Sequence, residues 1–301
     1  MNRWSKFKGT GVALVTPFKE NAAIDWEALE RVIHHVTQDG GVDYIVSLGT
    51  TGEAITLSTA ECKEIFRFTQ KIVNGKVPLV AGLFGSNNTP TGIERFTNYA
   101  AELEGFDAVL SSSPAYSKPS QEGIYQHYMT LAEASPLPII IYNVPSRTGS
   151  NVSASTTIRL AKANEKFIAI KEASGNLVQC MEIIKYEPTD FLVLSGDDAL
   201  TLPLLGAGGS GVISVLANAF PVEFSGMVRA ALQGNYEEAR RLNSLTLEVH
   251  PWLYIENSPC GIKAALHQLG LIDNCVRLPL VPLSTNNYDN LKKEIDKVRG
   301  R

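Results

Sequence analysis

One lysine closes an apolar run in the stretch Phe167 to Gly175, "FIAIKEASG". An ammonium at the end of a buried strand is costly to desolvate, so a chain that keeps one there has a use for it or a partner for it. Partial desolvation favours the neutral amine, which can attack a carbonyl carbon and form an imine. The competing reading pairs Lys171 with a rim carboxylate such as Glu172 and gives it only a structural role. Two tyrosines, Tyr142 in "IIIYNVP" and Tyr116 in "SSSPAY", also end apolar runs. A phenol beside a lysine amine can move the protons that carbinolamine formation and dehydration require, although each tyrosine singly is an ordinary packing residue.

Two further stretches suit anions. "GTTGE", Gly49 to Glu53, combines glycines with the hydroxyls of Thr50 and Thr51 and with backbone N–H groups ahead of a helix that begins near Ser58. Such a turn receives a carboxylate or phosphate. Arg147 in "NVPSRTG" can grip a carboxylate in a bidentate pair, against the plainer reading of a solvated loop arginine. Together these residues describe carbonyl chemistry on a small acidic substrate.

The elements that would bring them together are legible as a repeat. Eight short β-branched runs alternate with amphipathic stretches from Gly11 to about Gly234, as βαβ units demand. The runs are "GVALVTPF", "DYIVSLGTTGE", "VPLVAGLF", "DAVLSSSPAY", "LPIIIYNVP", "FIAIKEAS", "FLVLSGD" and "GVISVLAN". Their nearly continuous apolar content fits strands buried on both faces. The expected fold is α/β, a (β/α)8 TIM barrel over residues 1–234 with C-terminal helices over 235–301 packed on it; a doubly wound open sheet is the alternative. In a barrel the chemistry sits at the C-terminal ends of the strands, where all the residues named above fall. Helix signals support the repeat: Ser58 and Glu61 form a capping box, and Pro90 follows Thr89 as the cap of the next helix. "GAGGSG", Gly206 to Gly211, precedes the eighth run, so it is a helix-to-strand turn at the opposite face and no dinucleotide site.

Composition excludes other classes. The chain has 301 residues, 44% hydrophobic and 19% charged, with a net charge of −4 that offers no basic surface for nucleic acid or an anionic membrane. No run reaches the length of a membrane span and the N-terminus lacks a signal-peptide pattern, so a cytoplasmic location is expected. Cys62, Cys180, Cys260 and Cys275 lie far apart without zinc-site spacing, and the five histidines form no chelating pair, so no metal is expected.

Taken in order, "GTTGEAITLS", "SPAYSKPSQEGIYQHY", "YNVPSRTG", "IAIKEASGN", "LSGDDA" and "GVISVLAN" resemble the dihydrodipicolinate synthase family across almost the whole chain. The broader group is the pyruvate-dependent Schiff-base aldolases, which include N-acetylneuraminate lyase; "YNVPSRTG" favours the synthase. The resemblance implies condensation of pyruvate with aspartate semialdehyde in the diaminopimelate branch of lysine biosynthesis, with a sibling aldolase or lyase acting on a sugar acid or hydroxy-oxo acid as the alternative. A barrel that binds a small acid without chemistry is the reading from another class. The resemblance further implies that Lys171 forms the imine with pyruvate, that Thr50 and Thr51 help to hold its carboxylate, and that Tyr142 relays protons. Tyr116 would complete the relay in the neighbouring subunit's site across a tight dimer of a homotetramer. Arg147 would hold the carboxylate of the second substrate, and Gly196 and Ile213 would line the pocket through backbone groups. An iminium is itself the electron sink, so no cofactor is required.

Departures from the family pattern cluster in one region. Ala115 stands before Tyr116 where many members have a second tyrosine, Ala54, Ile55, Thr59 and Cys62 replace a more polar, histidine-containing set in lysine-inhibited members, and Thr91 stands where those have an acidic residue, with Asn87 retained. Weak or absent inhibition by lysine is the expectation. Gly261 in "NSPCGIK" stands where a proline is frequent.

Overall fold

The structure is a computed structural model, and it describes residues 3–300. Eight parallel strands close into a barrel in sequence order: β1 (Gly9–Ala13), β2 (Tyr44–Ser47), β3 (Leu79–Ala81), β4 (Ala108–Ser112), β5 (Ile139–Asn143), β6 (Phe167–Glu172), β7 (Leu192–Ser195) and β8 (Gly211–Ser214). Closure is made by β1 against β8, with Gly9 opposite Gly211 and Val12 opposite Ser214. The open-sheet alternative is thereby excluded, and the fold is a TIM barrel.

Helices return the chain from the end of each strand to the start of the next. They are α1 (Trp26–His34), α2 (Thr59–Val73), α3 (Thr89–Asn98), α4 (Gln121–Ala134), the single turn α5 (Pro145–Thr148) with α6 (Ala154–Ala163), α7 (Leu177–Tyr186), α8 (Thr201–Gly206) and α9 (Pro221–Leu232). The expected capping box of α2 forms, with Ser58 N donating to Glu61 (2.8 Å) and Glu61 N to Ser58 Oγ (3.2 Å). The start of α3 differs from the expectation. Asn88 is the cap, its side chain accepting from Thr91 N at 3.0 Å, while Thr89 is already the first helical residue. The amide oxygen of Asn reaches that N–H and releases Thr89 to hydrogen-bond His127.

Two apolar layers result from strand alternation. Side chains such as Ile140, Ile168, Leu192, Leu194 and Ile213 fill the barrel interior, which Phe7 and Tyr44 close at the bottom in an edge-on pair. Ile45, Val109, Ile141, Ile170, Val193 and Val212 face the helices instead. The C-terminal helices are α10 (Tyr236–Thr246), α11 (His250–Tyr254), α12 (Cys260–Gln268) and α13 (Thr285–Arg299). "YEEARRLNSLTLEVHPWLYIE" is therefore two helices joined by a 3-10 turn at Leu247–Val249, where Pro251 opens the second one. Among the described residues no helix is long and apolar enough to cross a membrane.

Arg277, downstream of α12, ties the C-terminal helices to α2 through hydrogen bonds to Glu61. That contact holds the Glu61 carboxyl down from its ordinary 4.5 to about 2. A carboxyl lowered on folding stabilises above its unfolded value and loses that contribution as pH falls through the folded one. Glu61→Gln should therefore lower the melting temperature at pH 7 and flatten its decline between pH 4.5 and 2. Circular dichroism melts across that range check this, and parallel wild-type and variant curves would contradict it.

Candidate active site

Lys171 is positioned by a fault in the ladder between β5 and β6. Ile139 pairs with Phe167, but Ile140 pairs with Ala169, so Ile168 is an extra residue on β6. A bulge of this kind rephases the strand beyond it. Ile168 and Ala169 both face the interior, Ile170 faces the helices, and Lys171 then turns inward beside Tyr142, its partner across the ladder. Without the extra residue, strict alternation from Ile168 would send Glu172 inward and Lys171 outward. The apolar support of the lysine inside the barrel thus comes from Ile168 and Ala169, while Phe167 and Ile170 pack in the outer layer.

The same phase answers whether Lys171 is half of an ion pair. Glu172 points away from it and is satisfied by Asn143 Nδ2 (3.0 Å to each oxygen), Gln179 Nε2 (2.8 Å) and Ser174 N (2.8 Å). Asn143 also accepts from Val152 N at 2.9 Å, and Asn151 bridges Asn143 to Gln179. This buried network fixes the loops after β5 and β6. Lys171 itself is 5% exposed, forms no ion pair with a described residue, and has its Nζ 4.5 Å from the centre of the Tyr142 ring. Gly196 makes room for it: a Cβ at that position would lie 2.7 Å from Ala173 Cβ and 3.1 Å from Lys171 Cε.

A cavity of about 490 Å³ opens over this lysine. Thr50, Thr51, Tyr142, Arg147, Lys171 and Gly196 all line it, together with Val144, Asp197, Val215, His250, Tyr254 and Ser258. Thr50 and Thr51 begin a 3-10 turn (Thr50–Gly52), so their N–H groups precede its first donor, Gly52 N, which donates to Gly49 O at 3.1 Å. Two short turns, and not the N-terminus of α2, follow "GTT"; Ser58 and Glu61 occupy that helix end themselves. Arg147, in α5, donates to Ser258 O at 3.3 Å and lines the cavity.

Two predicted site residues are placed differently. Ile213 is 1% exposed in the interior layer and does not line the cavity, whereas Val215, two residues on, does. Tyr116 lies beyond the end of β4 with a φ of 72° and is 92% exposed, so it stands out from the surface and contributes nothing to its own chain's cavity.

Sequence reasoning missed the share taken by the C-terminal helices, because they read as packing alone. His250 is buried with neither ring nitrogen hydrogen-bonded among the described residues, and burial pushes its pKa down. Asp198 accepts from Val215 N (3.0 Å) and Leu216 N (2.8 Å), fixing the chain after β8, while burial and the neighbouring Asp198 push Asp197 up. A second cavity of about 580 Å³ continues from the first through Thr50, Tyr142, Val144 and Arg147 and is walled by Leu48, Ala54, Ile55, Leu83 and Ala115.

Residues 6–298 match the dihydrodipicolinate synthetase family. The chain belongs to that family. It is 48% identical to the 4-hydroxy-tetrahydrodipicolinate synthase of Parabacteroides distasonis over 286 residues, 95% of each chain. Against the synthase of Flavobacterium psychrophilum it is 48% identical over 294 residues, 97% of this chain and 99% of the other. Among solved structures, the dihydrodipicolinate synthase of Thermotoga maritima superposes with a TM-score of 0.94 at 37% identity, covering 98% of this chain and 99% of that one. A monomeric dihydrodipicolinate synthase variant does so with a TM-score of 0.94 at 36% identity over 99% of both chains. Membership of the dihydrodipicolinate synthetase family accounts for the order of the motifs along the barrel.

The two readings of Lys171 predict opposite stabilities. Lys171→Met removes a buried polar group with no ion-pair partner among the described residues and should leave the melting temperature unchanged or higher. Gln179→Leu leaves a buried Glu172 oxygen short of a donor and should cost about 1–3 kcal/mol. Urea titrations of the two variants check this; a comparable loss from Lys171→Met would make the lysine a structural residue.

Proposed function

We propose that Lys171 is the Schiff-base lysine of a 4-hydroxy-tetrahydrodipicolinate synthase, a class I lyase that condenses pyruvate with L-aspartate 4-semialdehyde. The observation that carries the reading is the buried amine of Lys171, held over the Tyr142 ring and free of the Glu172 carboxylate. Neutral Nζ attacks C2 of pyruvate, and loss of water from the carbinolamine gives the imine. Tyr142 and Thr50, on the same cavity wall, move the protons. The N–H groups and hydroxyls of Thr50 and Thr51 receive the pyruvate carboxylate. Loss of a C3 proton to the relay gives the enamine, whose carbon bonds to the aldehyde carbon of the second substrate, with Arg147 on that substrate's carboxylate. The substrate amine then attacks the imine carbon, closes the six-membered ring and releases Lys171 as free amine.

In this reading Gly196 admits the lysine at the cavity and Ile213 closes its floor from the interior layer. Tyr116, too exposed to serve its own chain, reaches the cavity of a second copy, and the assembly is a homotetramer of two tight dimers. Ile55, 94% exposed beside the second cavity, supports an apolar contact there. The barrel, residues 1–234, carries the lysine, and the helices from 235 complete the cavity. The location is cytoplasmic, where the substrates of amino-acid biosynthesis are made.

Pyruvate with borohydride should add one reduced pyruvate to the peptide containing Lys171 in the wild type and none in Lys171→Ala. The wild-type protein should consume aspartate semialdehyde in a coupled assay and leave N-acetylneuraminate and hydroxy-oxoglutarate untouched, with a native mass of four chains. Trapping without consumption of the semialdehyde would instead indicate a sibling aldolase.

The second cavity offers little to an amino acid. Leu48, Ala54, Ile55, Leu83, Ala115 and Leu280 make much of its wall, and the one carboxylate that lines it, Glu53, is paired with Lys263. L-Lysine at millimolar concentration should leave the initial rate nearly unchanged, and sub-millimolar inhibition that pyruvate does not relieve would refute this.

A further inference from the structure

The turn that carries Thr50 and Thr51 ends on a residue in an unfavourable conformation. Glu53 has a φ of 53°, a left-handed backbone that side-chain-bearing L residues rarely adopt. It joins two short 3-10 turns: its N–H donates to Thr50 O at 3.1 Å, and its own carbonyl accepts from Thr56 N at 2.9 Å. Such a joint persists only where its surroundings over-determine it.

What over-determines it lies more than two hundred residues away. The Glu53 side chain is 1% exposed and forms an ion pair with Lys263, in α12, whose side chain is 0% exposed. Arg277 N donates to the other Glu53 oxygen at 3.2 Å. Lys263 Nζ also donates to Cys275 O at 2.9 Å and lies 4.1 Å from the centre of the buried Phe18 ring, which the Arg277 guanidinium also approaches at 4.4 Å. Phe18 follows β1, so the loops after β1 and β2 meet the C-terminal helices at one desolvated charge cluster. Removing one partner of such a pair strands the other charge in the core.

We propose that Lys263 is a positioning residue for the pyruvate site. By fixing the Glu53 carboxylate it holds the Thr50–Gly52 turn with the Thr50 and Thr51 donors facing the cavity. The proposal rests on the reading of those two threonines as the pyruvate carboxylate site. Lys263 touches no reacting atom; its effect passes through Glu53 and the backbone between Glu53 and Thr50.

A merely structural pair would lower stability and leave the kinetics of the folded fraction alone. A positioning pair alters binding of the group that the turn receives. Lys263→Met and Glu53→Gln should each raise the KM for pyruvate by about tenfold, the factor that ~1.4 kcal/mol of binding corresponds to, with kcat at saturating pyruvate reduced less. The KM for the semialdehyde should change little. Borohydride trapping at low pyruvate should slow by the same factor and recover at high pyruvate. Glu102→Gln is the control, since Glu102 is a carboxylate of equal burial paired with Lys63 and Arg67 of α2 and lines neither cavity. It should lower the melting temperature without moving the pyruvate KM. A pyruvate KM within twofold of wild type in folded Lys263→Met overturns the proposal; if that variant does not fold, the same result in Glu53→Gln overturns it. Failure of the wild type to trap pyruvate at Lys171 would instead undo the reading on which the proposal rests.

Discussion

The side-chain phase of β6 is the constraint on which the site depends. Lys171 and Glu172 are neighbours in sequence and must point to opposite faces of the strand, so one of them enters the barrel and the other faces the helices. The extra residue at Ile168 decides which. With the lysine inside, the cost of desolvating an amine is met at the cavity mouth by the Tyr142 ring. With the glutamate outside, its charge is absorbed by Asn143, Gln179 and Ser174. The pairing of Tyr142 with Lys171 and of Asn143 with Glu172 along the same ladder makes the two solutions one.

From that phase the rest of the site follows by proximity. β5 contributes Tyr142 inward and Asn143 outward, Gly196 follows the last residue of β7 where a Cβ would crowd the lysine, and α5 brings Arg147 over the opening. The geometry therefore keeps two kinds of polar group apart. Lys171 faces the cavity with no ion pair to a described residue, while Glu172, Asn143 and Gln179 behind the strands are bonded to one another and hold the loops.

The C-terminal helices belong to this machinery. α11 brings His250 and Tyr254 to the cavity, and the segment from α12 to Arg277 holds the turn after β2 through buried charge. A barrel alone would leave that turn with a left-handed glutamate and a buried carboxylate that has no cation. Much of what makes the front of the barrel specific thus comes from the last quarter of the chain.

Eight apolar runs at βαβ spacing made a parallel α/β sheet covered by helices legible in the sequence, with the barrel favoured, and the pairing of β1 with β8 then excluded the open sheet. The sequence also marked the lysine, the two tyrosines, the threonine pair and the arginine as candidates for one site, since a barrel gathers the polar ends of its strands at one rim. Only the tertiary structure decided how that set divides. A bulge is a property of the pairing between β5 and β6 and leaves no mark in "FIAIKEASG" read alone. The partner of Glu53 is Lys263, over two hundred residues away, and a contact of that separation is fixed by packing and not by local pattern. The exposure of Tyr116 and the interior place of Ile213 were settled in the same way, by where the ends of β4 and β8 lie against the loops around them.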